Sequence, residues 1–151
     1  LLRARGEERV DLLMLSHRDS DHVGGAATLL RSLPVAAVRS SLADAHPLRR
    51  PDPPHDRCQA GQQWDWDGVR FQVLSPLAAD YDRDLKSNAM SCVLRVQGGN
   101  GTALLTGDAE APQEAAILAR DAAALKADVL VVPHHGSRCC SPAEVSSVSV
   151  T

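Results

Sequence analysis

Ser16-His17-Arg18-Asp19-Ser20-Asp21-His22-Val23-Gly24-Gly25 is the stretch whose reading decides the fold. Four metal-competent side chains, His17, Asp19, Asp21 and His22, fall within six positions. The apolar residues 10–15 before them read as a buried strand, and the alanine/leucine residues after Gly24-Gly25 read as a helix. Carboxylates packed this densely at a strand end repel each other unless something offsets their charge. Bound divalent ions convert that repulsion into coordination. A single aspartate after a strand is usually a turn or cap residue. Ligand-type side chains at alternate positions of a glycine-backed turn point to metal instead.

The rest of the chain sets bounds on that reading. Its 151 residues suffice for one domain with a real core. With 44% apolar and 23% charged residues it has the composition of a soluble globular protein, which argues against disorder. The formal charge of -3 supplies no global basic field for nucleic acid or an anionic membrane. Two divalent ions would raise that charge to about +1 and concentrate it where a phosphate would sit. No apolar run is long enough to span a bilayer, and no signal peptide opens the chain. Leu1 starts in mid-pattern and Thr151 ends a polar tail, so a fragment of a longer protein is expected.

Along the chain, residues 25–33 carry helical spacing, which Pro34 stops. Residues 35–38 form a short β-type run. Residues 41–60, with Pro47, Pro51, Pro53 and Pro54, predict an irregular surface connection in which His46 and His55 are solvated loop residues. Residues 62–66 and 69–74 around Asp67-Gly68 predict a β-hairpin, with Trp64 and Trp66 on one face as core packing. Residues 78–87 resemble a calcium loop only through alternating Asp80, Asp82 and Asp84, and read as a solvated loop. Two further strands are expected at 91–96 and 102–106, then a helix at 111–126 capped near Asp108 or Ala109, then a strand at 128–132.

Three times an apolar strand ends in metal-type residues beside glycine: at 16–25, at Gly107-Asp108, and at Pro133-His134-His135-Gly136-Ser137. In layered α/β folds, sites gather at strand ends along one sheet edge. His17 and Asp19 would hold one cation and Asp21 and His22 a second, with Asp108 bridging and His134 or His135 completing the second. Two cations about 3.5–4 Å apart clamp a phosphoryl or acyl centre and deprotonate the water between them. The oxygen-rich donor set suits manganese or magnesium, with zinc also compatible. Hydrolysis of a phosphodiester is the chemistry this arrangement predicts. Of the four cysteines, adjacent Cys139 and Cys140 are poor partners for each other. Cys58 and Cys92 are either two free buried thiols or, in an oxidising compartment, a bridge closing a long loop.

His17-x-Asp19-x-Asp21-His22 followed by Gly24-Gly25 resembles the signature of the metallo-β-lactamase superfamily, in the variant with aspartate at the second histidine. The segments at 91–96, 104–108 and 132–137, with Cys58-x-Ala60-Gly61-x-x-Trp64-x-Trp66-Asp67-Gly68-Val69, look like the C-terminal domain of the proteobacterial ComEC family of DNA-internalisation proteins. The resemblance implies an αββα sandwich, an α/β layered fold, here incomplete because the N-terminal strands lack counterparts. It implies two divalent ions, manganese or zinc foremost and magnesium as an alternative, on His17, Asp19, Asp21, His22, Asp108 and His135. Asp21 and His134 would be catalytic, His134 facing the phosphate, while Asn88 and Ser137 contact substrate. The superfamily's usual histidine between the first cluster and the bridging aspartate is missing, so Asn88 or water must serve. Ser75-Pro76 stands where relatives often have histidine before the proline. A Cys58–Cys92 disulfide is implied by an exported setting.

The implied function is nuclease action on the non-transported strand during DNA uptake. Its partners would be DNA, single strand or duplex, the membrane channel of the same full-length protein, and other competence proteins. The address would be the inner membrane, with this domain soluble and periplasmic. Hydrolysis of a small ester or thioester, or a non-catalytic assembly or DNA-binding role, are the competing readings.

Overall fold

The computed structural model describes residues 2–136, so Ser137, Cys139 and Cys140 lie outside the described residues. Two sheets form the centre. Three parallel strands, β1 (Leu13–Leu15), β2 (Val38–Ser40) and β3 (His55–Arg57), lie in the order β1-β2-β3. A five-stranded mixed sheet runs β4 (Gln63–Trp66), β5 (Val69–Ser75), β6 (Val93–Gly98), β7 (Gly101–Leu105) and β8 (Val129–Val131). The helices are α1 (Ser20–Val23), α2 (Ala26–Ser32) and α3 (Ala111–Arg120).

Side-chain alternation assembles the layers. In β1, Leu13 and Leu15 join Ala26, Val38 and Leu42 on the α2 side, while Met14 meets Cys58, Val73, Cys92 and Leu94 on the larger sheet. Leu74, Val93 and Leu104 face the other way and pack with Ile117 of α3 and with Ala124 and Leu125. The order is helix, sheet, sheet, helix.

Several expectations need correction. The first strand is shorter than residues 10–15, because only an isolated parallel bridge, Val10 to Val35, precedes Leu13. The proline-rich connection contains β3, which pairs in parallel with β2 through Val38, Arg39 and Ser40. His55 is therefore a half-buried strand residue whose Nε2 lies 2.6 Å from the Ser40 hydroxyl oxygen, and burial first of all lowers its pKa. His46 is half-buried, with Nδ1 accepting from the Leu48 N–H. The helix at 111–126 stops at Arg120, where Asp121 accepts from the Ala124 N–H and starts a 3-10 turn. Its N-cap is Glu110, which releases Asp108 from capping. The calcium-like segment begins as a 3-10 turn, Ala78–Asp82, with Asp80 accepting from the Leu77 N–H. The hairpin forms as read, and Trp64 stacks on Phe71 with centroids 5.1 Å apart. Trp66, 45% exposed, lies at the margin rather than in the core.

Leu94, Leu105 and Val131 are in register on the face that meets the smaller sheet. Leu94 is buried there, whereas Leu105, Val129 and Val131 remain 40%, 59% and 48% exposed. These three residues leave an apolar strip exposed at this end of the larger sheet.

Cys58 and Cys92 are bonded in the structure, with Cα atoms 6.1 Å apart. That the cell oxidises this pair is our proposal. Closing a separation of 34 residues restricts the unfolded chain by about 4 kcal/mol. Reduction, or a Cys58→Ala/Cys92→Ala variant, is expected to lower unfolding stability by about 2–4 kcal/mol in urea titrations. A midpoint indifferent to reductant would show the thiols free.

Candidate metal centre

Strand direction decides which loops meet. β7 and β8 are parallel neighbours, so Gly107-Asp108 and Pro133–Gly136 leave the sheet at the same end. β6 is antiparallel to β7, which sets its first residues beside that end: Ser91 Oγ accepts from the Asp108 N–H at 3.1 Å. The Cys92 N–H donates to the Ser16 carbonyl at 2.9 Å and docks the end of β1 there too. The His134 N–H reaches the Gly107 carbonyl at 3.3 Å and ties the last loop to the second.

The backbone is unusual where these loops touch. Gly107 has φ +55°, and a Cβ there would lie 3.0 Å from Ser16 Cβ and 3.2 Å from Ser91 Cβ. Only glycine lets the three segments approach so closely. His134 and His135 also hold positive φ, 49° and 54°, conformations that side-chain-bearing residues seldom adopt and that concentrate at functional sites.

The side chains form one cluster. Single donor atoms of Asp21, His22, Asp108 and His135 all lie within 4.8 Å of one another. Asp21 Oδ2 is 3.1 Å from His135 Nε2 and 3.5 Å from His22 Nε2. Asp108 Oδ1 is 3.1 Å from His22 Nε2, and its Oδ2 is 3.8 Å from both His135 Nε2 and His17 Nε2. Asp19 Oδ2 is 3.4 Å from His17 Nε2. Ligand atoms about 2.1 Å from a tetrahedral ion stand roughly 3.4 Å apart, close to these spacings.

A cation fits this set on a further ground. The Nε2 atoms of His17 and His22 are buried and have no hydrogen-bond partner. The carboxylate oxygens near them lie off the hydrogen-bond direction, so their lone pairs converge on one region. The Nδ1 atoms are occupied: Ser16 Oγ lies 3.0 Å from that of His17 and 3.0 Å from that of His22, and Ser91 Oγ lies 3.4 Å from that of His17. A proton on each Nδ1 leaves Nε2 as the donor toward a metal. Burial, followed by the neighbouring His22, holds the His17 pKa below its ordinary value and favours the neutral imidazole. The Asp21 carboxyl is also held below its usual range, first by its own backbone N–H and then by His135.

All six expected ligands are thus brought together. Asn88 is not: its amide nitrogen donates to Glu110 Oε1 at 3.1 Å, at the start of α3. Ser137, expected to touch substrate, lies outside the described residues. Ser91 carried no signal in the sequence, since a serine opening a strand is commonplace. Ser16 stood beside His17 with nothing to mark its contact with His22. Ser91→Ala is expected to weaken metal affinity by about 10–100-fold with the fold preserved, measured by competition with a chromogenic chelator. Unchanged affinity would remove Ser91 from the site.

The sequence description of the metallo-β-lactamase superfamily matches residues 1–138. The chain belongs to the metallo-β-lactamase superfamily. Its members are generally hydrolases, and the fold suggests divalent metal binding. This superfamily member is 42% identical over 131 residues to Recombination protein 2 of Haemophilus influenzae, covering 85% of this chain and 15% of the relative. It is 36% identical over 140 residues to Competence protein ComA of Neisseria gonorrhoeae, covering 93% of this chain and 19% of the relative. These relatives bear out the resemblance to the ComEC family, and the chain spans less than a fifth of their length. A metallo-β-lactamase of Cronobacter sakazakii superposes with a TM-score of 0.54 at 20% identity, over 86% of this chain and 61% of that one. That likeness bears on the fold alone. Among the described residues no helix is long and apolar enough to cross a membrane.

Proposed function

We propose that this chain is a metal-dependent phosphodiesterase that degrades the non-transported DNA strand during DNA uptake, as the periplasmic part of a longer inner-membrane protein. The observation that carries the reading is the convergence of three separate strand ends on one group of carboxylates and orphaned imidazole nitrogens. Two divalent ions, manganese or zinc and less readily magnesium, would be held by His17 and Asp19 on one side and by Asp21, His22 and His135 on the other. Asp108 would be shared between them. When bound, such ions polarise a phosphoryl oxygen and lower the pKa of water.

The chain's own residues do the rest. Three carboxylates and three neutral imidazoles balance all but one unit of the charge of two divalent ions, which favours an anionic phosphate at the open side. Ser16 and Ser91 hold the imidazole rings in orientation. Asp21, whose Oδ2 meets His135, is assigned to proton handling. His134 is assigned to face the phosphate, anchored through its N–H on Gly107. DNA, the channel of the full-length protein and other competence proteins are the proposed partners, which the competence name of a relative supports.

The test is incubation of the 151-residue chain with single-stranded DNA in manganese, with and without EDTA. Metal-dependent cleavage is the expected result. Turnover of a small ester or thioester with DNA intact would favour a different hydrolase. Metal binding without hydrolysis of any of these would leave an assembly role.

A further inference from the structure

A second feature adjoins the metal loop. Arg18 sits between His17 and Asp19 but lines a separate cleft of about 190 Å³, together with Ser41, Arg57, Tyr81, Arg83 and Asp84. The cleft is tied to the centre, because the Ser41 hydroxyl donates to the Ser16 carbonyl at 2.8 Å. Its walls are also fixed. The Arg57 guanidinium is clamped by Asp44 at 2.7 Å and lies over the Tyr81 ring, 4.7 Å from its centroid. The Tyr81 hydroxyl donates to the Cys58 carbonyl, and Arg83 pairs with Asp80 at 3.2 Å.

We propose that this cleft seats one nucleotide of a single-stranded DNA, with Arg18 on its phosphate, the base stacked on the Arg57 guanidinium and Asp84 accepting from the base edge. The inference rests on the phosphodiesterase reading and adds a substrate subsite to it. Three features of the cleft favour a nucleotide over a simple anion. Its guanidiniums are matched by carboxylates, so it presents donors and acceptors together, which a base edge uses and a bare phosphate does not. A guanidinium placed over a ring and fixed by a carboxylate offers a planar group a stacking surface. Arg18 and Asp84 make no ion pair among the described residues, which leaves one charge of each sign for a ligand. One nucleotide carries both an anion and, on the edge of its base, N–H donors.

The test is binding, so that it does not depend on turnover. Fluorescence anisotropy with a short labelled oligonucleotide, in EDTA to stop cleavage, compares the wild-type chain with Arg18→Ala and Arg18→Lys. Arg18→Ala is expected to raise Kd about tenfold, and the slope of log K against log salt should shrink by about 0.7, one single-strand phosphate contact. Arg18→Lys should restore most of both. Moving one abasic position along the oligonucleotide should weaken binding about fivefold or more at one position only. Equal Kd and slope in Arg18→Ala, a flat abasic scan, or no binding by the wild-type chain would each overturn the proposal. A wild type that binds in this manner yet cleaves nothing in manganese would sink the phosphodiesterase reading and leave the nucleotide seat standing. Cleavage of a small phosphodiester by a chain whose DNA binding ignores Arg18 would do the reverse.

Discussion

Replacing Asp108 with alanine is expected to reduce metal-dependent hydrolysis by on the order of a thousandfold or more while the chain stays folded. Asp108 is 5% exposed, and its two oxygens face the three imidazoles of His17, His22 and His135 at 3.1–3.8 Å. Among the described residues Asp108 is the carboxylate that lies within 4 Å of imidazoles in both halves of the cluster, so its removal weakens both cation positions at once. The metal-free fold has less to lose. The backbone N–H of Asp108 keeps its bond to Ser91, and α3 is capped by Glu110 rather than Asp108. Thermal melts separate the two effects. In the wild type, metal at a hundred times Kd adds about 2.7 kcal/mol, which is roughly 5–10 °C for a chain of this size. The variant should melt within a few degrees of the metal-free wild type and gain almost nothing from manganese. Wild-type activity, or an undiminished metal-induced shift, would remove Asp108 from the bridge.

The second large effect separates two adjacent residues. His135→Ala is expected to lower bound metal from two ions to one and hydrolysis by about a hundredfold or more, whereas His134→Ala should keep both ions. His135 Nε2 lies 3.1 Å from Asp21 and 3.8 Å from Asp108, inside the four-residue cluster. The four-residue cluster does not include His134, whose N–H bonds the Gly107 carbonyl and holds this loop on the neighbouring one. Elemental analysis of the dialysed variants decides it. Two ions retained by His135→Ala, with one lost from His134→Ala, would reverse the assignment.

Much of this was legible in residue order. The three clusters were visible because each stands where an apolar run ends in glycine, and hairpin β4–β5 was visible because Asp67-Gly68 supplies its turn. β3 was hidden: His55–Arg57 carries no apolar alternation and follows four prolines, so only pairing with β2 makes it a strand. The cap of α3 was misread by two residues or one because Asp108, Ala109 and Glu110 are consecutive, and propensity does not say which carboxylate turns inward.

The sequence by itself determined which metal-competent side chains are available and their attachment to strand ends. Those follow from side-chain type and from the periodicity of the runs before them, both local properties. Only the tertiary structure decided that the three ends face each other, that His135 meets Asp21, and that Ser16 and Ser91 steer the rings. Those depend on strand direction and register, which bring together residues as far apart in the chain as Asp21 and His135, 114 positions from each other. A linear reading holds no term for that distance, because the packing that closes it is shared by every residue in the two sheets.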